Sequence, residues 1–209
     1  MTLAGIDISH HNFTVIQAEE RRTKDGWLYS KAADGFVIMK ATEGVTFDDP
    51  RMMDYVRLIG ETNIRFDFAS IGFYHYARPE NNAPEAEAKH FYERVKQYIG
   101  NAVLALDVEG RALEMPSLDS WCYRWLKAVE TLSGGVKPMI YIQRSALNLF
   151  DEVPANDYGL WLASWQKQKP KKPAPWEFMA IWQNNGQNID TDYFFGNKKA
   201  WLKYARGGK

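Results

Sequence analysis

The chain has 209 residues, of which 45% are hydrophobic and 14% aromatic, so it can bury a hydrophobic core and is not an intrinsically disordered protein. The length suits one domain spanning residues 1–209. Its 26 basic and 26 acidic residues balance, and no basic stripe interleaved with aromatic residues occurs, which argues against nucleic-acid binding. Cys122 is the single cysteine, so no internal disulfide can form and a packed thiol is expected.

Basic residues are concentrated near the end of the chain. Residues 166–209 contain nine Lys or Arg and three acidic residues, and we interpret residues 196–209 as a short basic tail after a core of about residues 3–195. The first apolar run begins at Leu3 without a charged segment before it, and no apolar run is long enough to cross a membrane. We therefore expect no signal peptide and no membrane insertion.

Short apolar, β-branched and aromatic runs recur along the chain and predict eight strands. In chain order these are Leu3–Ile8, Phe36–Lys40, Ala69–Tyr76, Ala102–Val108, Pro138–Ile142, Leu160–Ser164, Phe178–Gln183 and Ile189–Asp192. The segments between the earlier runs predict helices at Thr14–Arg22, Pro50–Glu61, Ala83–Ile99, Leu118–Leu132 and Ser145–Phe150. After the sixth strand, residues 166–175 are rich in Lys and Pro, and residues 184–188 are too few for a helix.

Nearly continuous apolar strands that alternate with helices indicate a parallel sheet covered by those helices. Eight such strands favour closure, so we predict an α/β fold: a single TIM-like barrel of five βα units followed by three strands, written (β/α)5(β)3. The alternative is an open doubly wound sheet. Against it, Gly5 is followed by Ile-Asp-Ile-Ser and not by a glycine-rich phosphate loop.

Two carboxylates close the fourth predicted strand. Asp107 and Glu109 are separated by one residue, so a strand places both on one side, about 6.6 Å apart along the backbone. At the edge of an apolar core, two such acids acquire unequal environments, and one can remain protonated while the other ionises. This arrangement is typical of glycosidases. The alternative is that each acid forms a salt bridge with a neighbouring Lys or Arg.

Polar and aromatic side chains follow most of the predicted strands. In a βα barrel, the carboxyl ends of the strands meet at one face, which holds the reactive groups. The residues at these ends are Asp7, Glu43, Tyr74, His75, Tyr76, Asp107, Glu109, Tyr141, Gln143, Trp161 to Trp165, Trp182, Gln183, Asp190 and Asp192. Carboxylates with aromatic rings suit a sugar substrate, because the rings stack on the apolar faces of sugars.

Several of these residues have structural alternatives. His75 lies inside an apolar strand and is more often a hydrogen-bonded core residue than a catalyst. Glu43 can be held by Lys40, and Asp7, Asp190 or Asp192 can cap a segment or fix a loop. His10 and His11 lie near Asp7, but no complete ligand set with recognisable spacing accompanies them. We therefore predict no metal and no cofactor.

Six motifs, in order, resemble those of glycoside hydrolase family 25 lysozymes, the muramidases common among phage endolysins. They are Gly5–His11, Phe36–Gly44, Tyr74–Pro79, Leu106–Glu109, Trp161–Ala163 and Ile189–Asp190. The resemblance spans residues 5 to about 194 and implies the same barrel of five βα units and three strands. It also implies hydrolysis of the β-1,4 bond between N-acetylmuramic acid and N-acetylglucosamine in peptidoglycan.

The resemblance also implies roles for individual residues. Glu109 corresponds to the general acid, which later acts as the base for water, and Asp7, Asp107 and Asp190 correspond to the other catalytic acids. Two routes are open for the second catalytic role: an aspartate acts as nucleophile or charge stabiliser, or the substrate's acetamido group attacks while Asp107 orients it. We favour the acetamido route with net retention. With Glu109 protonated and the aspartates ionised, we expect a bell-shaped pH profile on the acidic to neutral side.

The remaining site residues are expected to bind the glycan strand. They are Glu43, Tyr74, Tyr76, Tyr141, Trp161, Trp165, Trp182 and Asp192. Trp165 stands where the family often has Tyr, and Asn184 where an aromatic residue is usual, so details of sugar binding are expected to differ. The chain is expected to act as a monomer without a separate wall-binding module. It would be made in the cytoplasm and reach the wall through a phage holin, a virion or secretion machinery.

Two other functions compete with this one. A catalytically inactive glycan-binding barrel would be expected to lose Glu109 or an aspartate, and all four catalytic acids are present. A chitinase-like N-acetylglucosaminidase usually has a further acid two residues before the pair, where this chain has Ala105.

Overall fold

The computed structural model describes residues 2–24, 26–60, 70–171 and 173–208, with the backbone alone at residues 152–154. Its nine strands are β1 (Leu3–Ile8), β2 (Phe36–Glu43), β3 (Phe47–Asp48), β4 (Ile71–Tyr76), β5 (Ala102–Val108), β6 (Met139–Gln143), β7 (Leu160–Ala163), β8 (Ile181–Asn185) and β9 (Asp190–Phe194). Two predicted ends, Glu61 and Ala69, lie outside the described residues.

Eight of the strands close into a barrel, and this confirms the predicted closed α/β barrel. The order around the barrel is β1, β2, β4, β5, β6, β7, β8 and β9, which pairs again with β1, while β3 forms a short hairpin with the end of β2. Neighbouring strands from β1 to β8 around the barrel are parallel, but β9 is antiparallel to both β8 and β1. The predicted parallel arrangement is therefore wrong for β9. Residues 186–189 are too few for a crossover, so the chain must turn back.

In the part of the chain that the structure describes, seven α-helices accompany the barrel: α1 (Phe13–Arg22), α2 (Trp27–Asp34), α3 (Met52–Gly60), α4 (Pro84–Val95), α5 (Leu118–Leu132), α6 (Glu152–Asp157) and α7 (Lys198–Ala205). Four of the predicted helices correspond to α1, α3, α4 and α5. The segment predicted at Ser145–Phe150 is a 3-10 helix at residues 144–149. Helices α2, α6 and α7 and strand β3 were not predicted. None of the described helices is long and apolar enough to cross a membrane.

Alternation along the strands separates two apolar layers. In β5, Leu104 and Leu106 face the helices, whereas Val103 and Ala105 belong to the cluster inside the barrel. Because side chains alternate, the inner series continues to Asp107 and then to Glu109. The outer layer also contains Cys122, which lies on the buried face of α5 and is fully buried, as expected for a packed thiol.

Helix α7 closes the end of the barrel opposite the carboxyl ends of the parallel strands. The fully buried Trp201 stacks on Phe36 at 4.6 Å between ring centroids and meets Phe194 edge-on at 5.2 Å. Its Nε1 donates a hydrogen bond to the carbonyl oxygen of Ile71, the first residue of β4. Interpreting residues 196–209 as a tail is therefore wrong for α7, because its apolar face completes the inner core.

A glycine in β1 permits this closure. A Cβ atom at Gly5 would come within 2.5 Å of the Phe36 ring, which lies across that position and stacks on Trp201. A larger residue at position 5 would force the ring away from the helix. Gly5 thus belongs to the packing at the closed end of the barrel.

Candidate active site

A small cavity opens at the carboxyl ends of the parallel strands. Its volume is about 70 Å³, and its lining residues are Asp7, Tyr74, Asp107, Glu109, Tyr141, Trp161, Gln183 and Asp190. The structure therefore brings together all four acids that the sequence predicted to be catalytic, with three of the predicted aromatic contacts. The site lies where a βα barrel places its chemistry.

Three strands supply the acids. Asp7 in β1 lies directly opposite Asp190 in the antiparallel β9, and Asp107 and Glu109 come from the end of β5. The chain turns sharply after Glu109 because Gly110 has a φ of +59°, a conformation that favours glycine. A Cβ atom at Gly110 would also come within 2.9 Å of the Tyr76 hydroxyl.

Asp107 is buried and incompletely hydrogen-bonded. Asp107 is 8% exposed, and its Oδ1 atom has no hydrogen-bond partner among the described residues. Burial raises the pKa of Asp107 well above its usual value, and the nearby charge of Glu109 raises it further. A buried polar atom without a partner is costly, so this oxygen is suited to receive a group from a bound substrate.

Asp7 is buried between a neutral donor and other acids. Gln183 Nε2 donates a hydrogen bond of 2.8 Å to Asp7 Oδ2. Burial raises the pKa of Asp7 to about 7, and the charge of Asp190 adds to this, while the hydrogen bond from Gln183 opposes it. Asp7 therefore gains or loses its proton near neutrality, which differs from the expectation that the aspartates are simply ionised.

Glu109 and Asp190 are the more accessible acids. Glu109 is half-buried, and burial raises the pKa of its side chain, whereas the positive charge of Lys40 lowers it and the charge of Asp190 raises it. Burial also raises the pKa of Asp190. A carboxyl that holds its proton longer than usual, at the edge of a cavity, is suited to act as a general acid.

A cluster of charged side chains lies beside Glu109. Lys40 Nζ donates to Glu43 Oε2 at 2.6 Å, and Arg78 Nε donates to Glu43 Oε1 at 2.8 Å. Lys40 also lies 4.7 Å from the centre of the Tyr76 ring. The alternative interpretation, in which Lys40 holds Glu43, is therefore the correct one. Both oxygens of Glu43 are engaged by cations, and Glu43 fixes Lys40 and Arg78 next to the acids.

Five of the predicted sugar contacts are aromatic residues in or near the cavity. Tyr74, Tyr141 and Trp161 line the cavity, whereas the half-buried Tyr76 lies beside Glu109 and the charged cluster. Trp165 is 67% exposed and lies flat over Gly186, where a Cβ atom would come within 2.4 Å of its ring. This exposed indole is available to stack on a sugar.

Trp182 and Asp192 are not placed as sugar contacts. Trp182 belongs to the outer apolar layer, and its Nε1 donates to the carbonyl oxygen of Ser164 at 2.8 Å. Asp192 is 1% exposed and accepts a hydrogen bond of 2.8 Å from Trp161 Nε1. Trp182 faces outward because side chains alternate along a strand and the next residue of β8, Gln183, faces the inside of the barrel.

The sequence placed Gln183 among the residues at the strand ends but gave it no role, and it did not indicate Lys40 as a site residue. Gln183 is 2% exposed and contacts three residues of the site, and Lys40 is 7% exposed. A polar residue at the end of an apolar strand was the available signal for Gln183. For Lys40, the signal was a charged residue within the apolar run of β2, where a partner is required.

The histidines have structural partners. His75 is fully buried and hydrogen-bonds to Thr42 Oγ1 at 2.7 Å and to Glu87 Oε2 at 2.8 Å, so the interpretation as a core histidine is confirmed. His10 Nδ1 lies 2.8 Å from Asp49 Oδ2 and thus pairs with Asp49. In the described part of the chain, no group of three or more His, Cys, Asp or Glu could hold a metal ion.

The raised pKa of Asp7 predicts a pH-dependent change in stability on substitution. A raised pKa means that the folded state binds the proton more tightly, so this contribution to stability is present below about pH 4 and is lost as the pH rises through about 7. We expect Asp7→Asn to increase the free energy of unfolding by roughly 1–3 kcal/mol at about pH 8 and by little at about pH 4. Asparagine can still accept the hydrogen bond from Gln183.

Urea unfolding at the two pH values measures this effect. Asp34→Asn is the matched control, because Asp34 is exposed at the end of α2. It should give no comparable gain at the higher pH. An equal change for Asp7→Asn at both pH values would contradict a raised pKa for Asp7.

Comparison with known proteins gives one consistent result. The family model for Glycosyl hydrolases family 25 matches residues 6–192. An N,O-diacetylmuramidase from Chalaropsis sp is 27% identical over 198 residues, which cover 88% of each chain. The structure of a muramidase from Trichobolus zukalii has a TM-score of 0.78 at 25% identity and covers 98% of this chain and 99% of its own. A bacterial lysozyme from Streptomyces coelicolor shares the fold, with a TM-score of 0.78 at 21% identity over 99% of this chain and 98% of its own.

Proposed function

This chain belongs to glycosyl hydrolase family 25, and from that premise we propose that it cleaves the β-1,4 bond between N-acetylmuramic acid and N-acetylglucosamine in peptidoglycan. Muramidase and lysozyme relatives support this substrate. The observation that carries the proposal is the cavity in which Asp7, Asp107, Glu109 and Asp190 meet beside aromatic side chains. An inactive glycan-binding barrel and a chitinase-like enzyme are not favoured.

Glu109 is the proposed general acid. It stands at the edge of the cavity, where it can reach a glycosidic oxygen, and its raised pKa favours the protonated form that the first step needs. Proton transfer from Glu109 to the leaving oxygen breaks the bond to the anomeric carbon. The same side chain, now ionised, then accepts a proton from the incoming water.

For the second role we propose the acetamido group of the substrate, oriented by Asp107. The acetamido oxygen attacks the anomeric carbon and forms a cyclic intermediate, while Asp107 holds the amide nitrogen. Support comes from Asp107 Oδ1, a buried oxygen that lacks a partner among the described residues and can accept the acetamido N–H. Water then opens the ring with net retention. An inverted product in an NMR time course would rule out this route.

The pKa shifts predict a bell-shaped dependence of kcat/KM on pH. The rate should rise as Asp7 loses its proton and fall again as Glu109 ionises, and burial raises the pKa of both groups. Burial thus moves the active range towards neutrality relative to the acidic to neutral range expected from sequence. Initial rates on purified peptidoglycan between about pH 4 and 10 measure this pH dependence. A flat profile would contradict the assignment of Asp7 and Glu109 as the two groups that control the rate.

Digestion of purified peptidoglycan tests the bond specificity. The soluble fragments are reduced and analysed by mass spectrometry to identify the sugar at the new reducing end. We expect reduced N-acetylmuramic acid. Reduced N-acetylglucosamine at that position would make the enzyme a glucosaminidase and overturn the proposal.

We further propose that the protein acts as a monomer on the cell wall. A single chain supplies all the residues that line the cavity, so the site does not need a second copy. Peptidoglycan lies outside the cytoplasmic membrane, and a phage holin, a virion or secretion machinery would deliver the protein to it. Analytical ultracentrifugation tests the first statement, and a dimer at assay concentrations would contradict it.

A further inference from the structure

The direction of one hydrogen bond chain in the site is fixed by its donors. The Tyr141 hydroxyl donates to Gln183 Oε1 at 3.0 Å, and Trp165 Nε1 donates to the same oxygen at 3.1 Å. An indole N–H can only donate, so Gln183 must present its oxygen to Trp165. Its Nε2 group is then the one that faces Asp7 and donates at 2.8 Å. On this side, Asp7 is the acceptor that ends the chain.

A second chain reaches Asp7 from Asp192. Trp161 Nε1 donates to Asp192 Oδ1 at 2.8 Å, which again fixes that oxygen as an acceptor. The other oxygen, Oδ2, is buried and receives no hydrogen bond from a donor among the described residues. In the sheet, Asp7 pairs with Asp190 and Gly5 pairs with Asp192, so Asp7 and Asp192 are diagonal neighbours whose side chains share the inner face. Two ionised carboxylates side by side in a buried site repel each other, so one of the pair carries a proton.

The surroundings of the two acids differ. Asp192 is 1% exposed and is packed by Trp161 of β7 and by Gln183, directly opposite it in β8. The charges that act on it are those of Asp7 in β1 and Asp190 in β9, and both are negative. Asp7 instead receives an amide donor and faces the cavity. A negative charge is therefore better placed on Asp7.

We propose that Asp192 is a positioning residue that acts as a neutral hydrogen bond donor to Asp7. The proton on Asp192 Oδ2 points to Asp7, and Asp7 carries the single negative charge of the pair. Gln183 and Asp192 then hold the Asp7 carboxylate from two sides. The effect on catalysis rests on the proposed function, because a fixed carboxylate is what stabilises positive charge developing at the anomeric carbon.

The pKa shifts agree with this assignment. Burial raises the pKa of Asp192 well above its usual value, and the charge of Asp7 and the hydrogen bond to Asp7 raise it further. For Asp7, the hydrogen bonds from Gln183 and Asp192 both lower the pKa and oppose the effect of burial.

Two substitutions at Asp192 test whether its side chain is a neutral hydrogen bond donor or an ionised carboxylate. Asp192→Asn keeps the acceptor for Trp161 and an N–H donor for Asp7, so we expect most of the activity and the same acidic limb of the pH profile. Asp192→Leu removes the donor, so we expect kcat to fall about 10–100-fold and the acidic limb to move to higher pH. If Asp192 were ionised, Asp192→Asn would relieve repulsion and move that limb to lower pH, which would overturn the proposal.

A second measurement does not depend on activity. Carbon-13 NMR of the aspartate carboxyl carbons follows each acid through a pH titration, and Asp192→Asn and Asp7→Asn assign the two signals. We expect the Asp7 signal to titrate near pH 7, while the Asp192 signal stays at the protonated position through that transition. An Asp192 signal that ionises before that of Asp7 would overturn the proposal. Failure of peptidoglycan cleavage with the expected titration would instead reject only the proposed function.

Discussion

Glu109→Gln is expected to lower kcat on peptidoglycan by roughly 10²–10⁴-fold while the protein stays folded. Glutamine keeps the size of the side chain, but it has no proton of suitable acidity for the leaving oxygen. Glu109 lies at the edge of the cavity after the end of β5, and it forms no salt bridge with the residues that the structure describes. The loss should therefore appear in kcat. Turnover of purified peptidoglycan, together with circular dichroism of the variant, measures both parts.

Glu114→Gln is the matched control for this prediction. Glu114 is exposed in the 3-10 helix that follows Glu109, and it undergoes the same chemical change outside the cavity. Its activity should stay close to that of the unmodified protein. If Glu109→Gln kept full activity, Glu109 could not be the proton donor. Equal losses in the two variants would point to a disturbance of the local structure.

Trp201→Ala is expected to lower the free energy of unfolding by about 3–5 kcal/mol. Trp201 is fully buried, and its ring fills the space between Phe36 and Phe194 at the closed end of the barrel. Alanine would leave a cavity there and remove the hydrogen bond to the carbonyl oxygen of Ile71. The acids lie at the opposite end, so activity should persist under conditions in which the variant stays folded.

Trp165→Ala removes the same side chain from a site that is 67% exposed. It should cost much less stability than Trp201→Ala, and urea denaturation of the two variants compares them directly. If both variants lost the same small amount, α7 would contribute little to the core. In that case the earlier interpretation of this segment as a tail would be the better description.

The parts of the fold that depend on local periodicity could be predicted from the sequence. Apolar runs identified the barrel strands, and the two-residue spacing of Asp107 and Glu109 predicted that both acids lie on the same side, as their shared place in the cavity lining shows. The predicted strand ends also supplied Asp7 and Asp190, which are far from that pair in sequence, and the family resemblance gave them a catalytic role. The structure brings them together because β1 and β9 close the barrel as neighbours.

The features that depend on tertiary contacts were harder to predict. The direction of β9 follows from the short connection between β8 and β9. The residues of a short strand do not themselves reveal whether the strand pairs in a parallel or an antiparallel way. In α7, the lysines obscured an amphipathic pattern, although Asn197 caps the helix and Trp201 and Ala205 share its buried face. The engagement of Glu43 by Lys40 and Arg78 required knowledge of which side chains meet.

Because α7 lies at the closed end of the barrel, the C-terminus and the catalytic cavity face away from each other. Arg206 Nε donates to the carbonyl oxygen of Gly100, just before β5, which keeps the last residues on that side. A targeting domain or fluorescent reporter fused after α7 would therefore extend from the rear of the enzyme. Such a fusion could anchor the protein to a surface and still leave the front open to long polysaccharide chains.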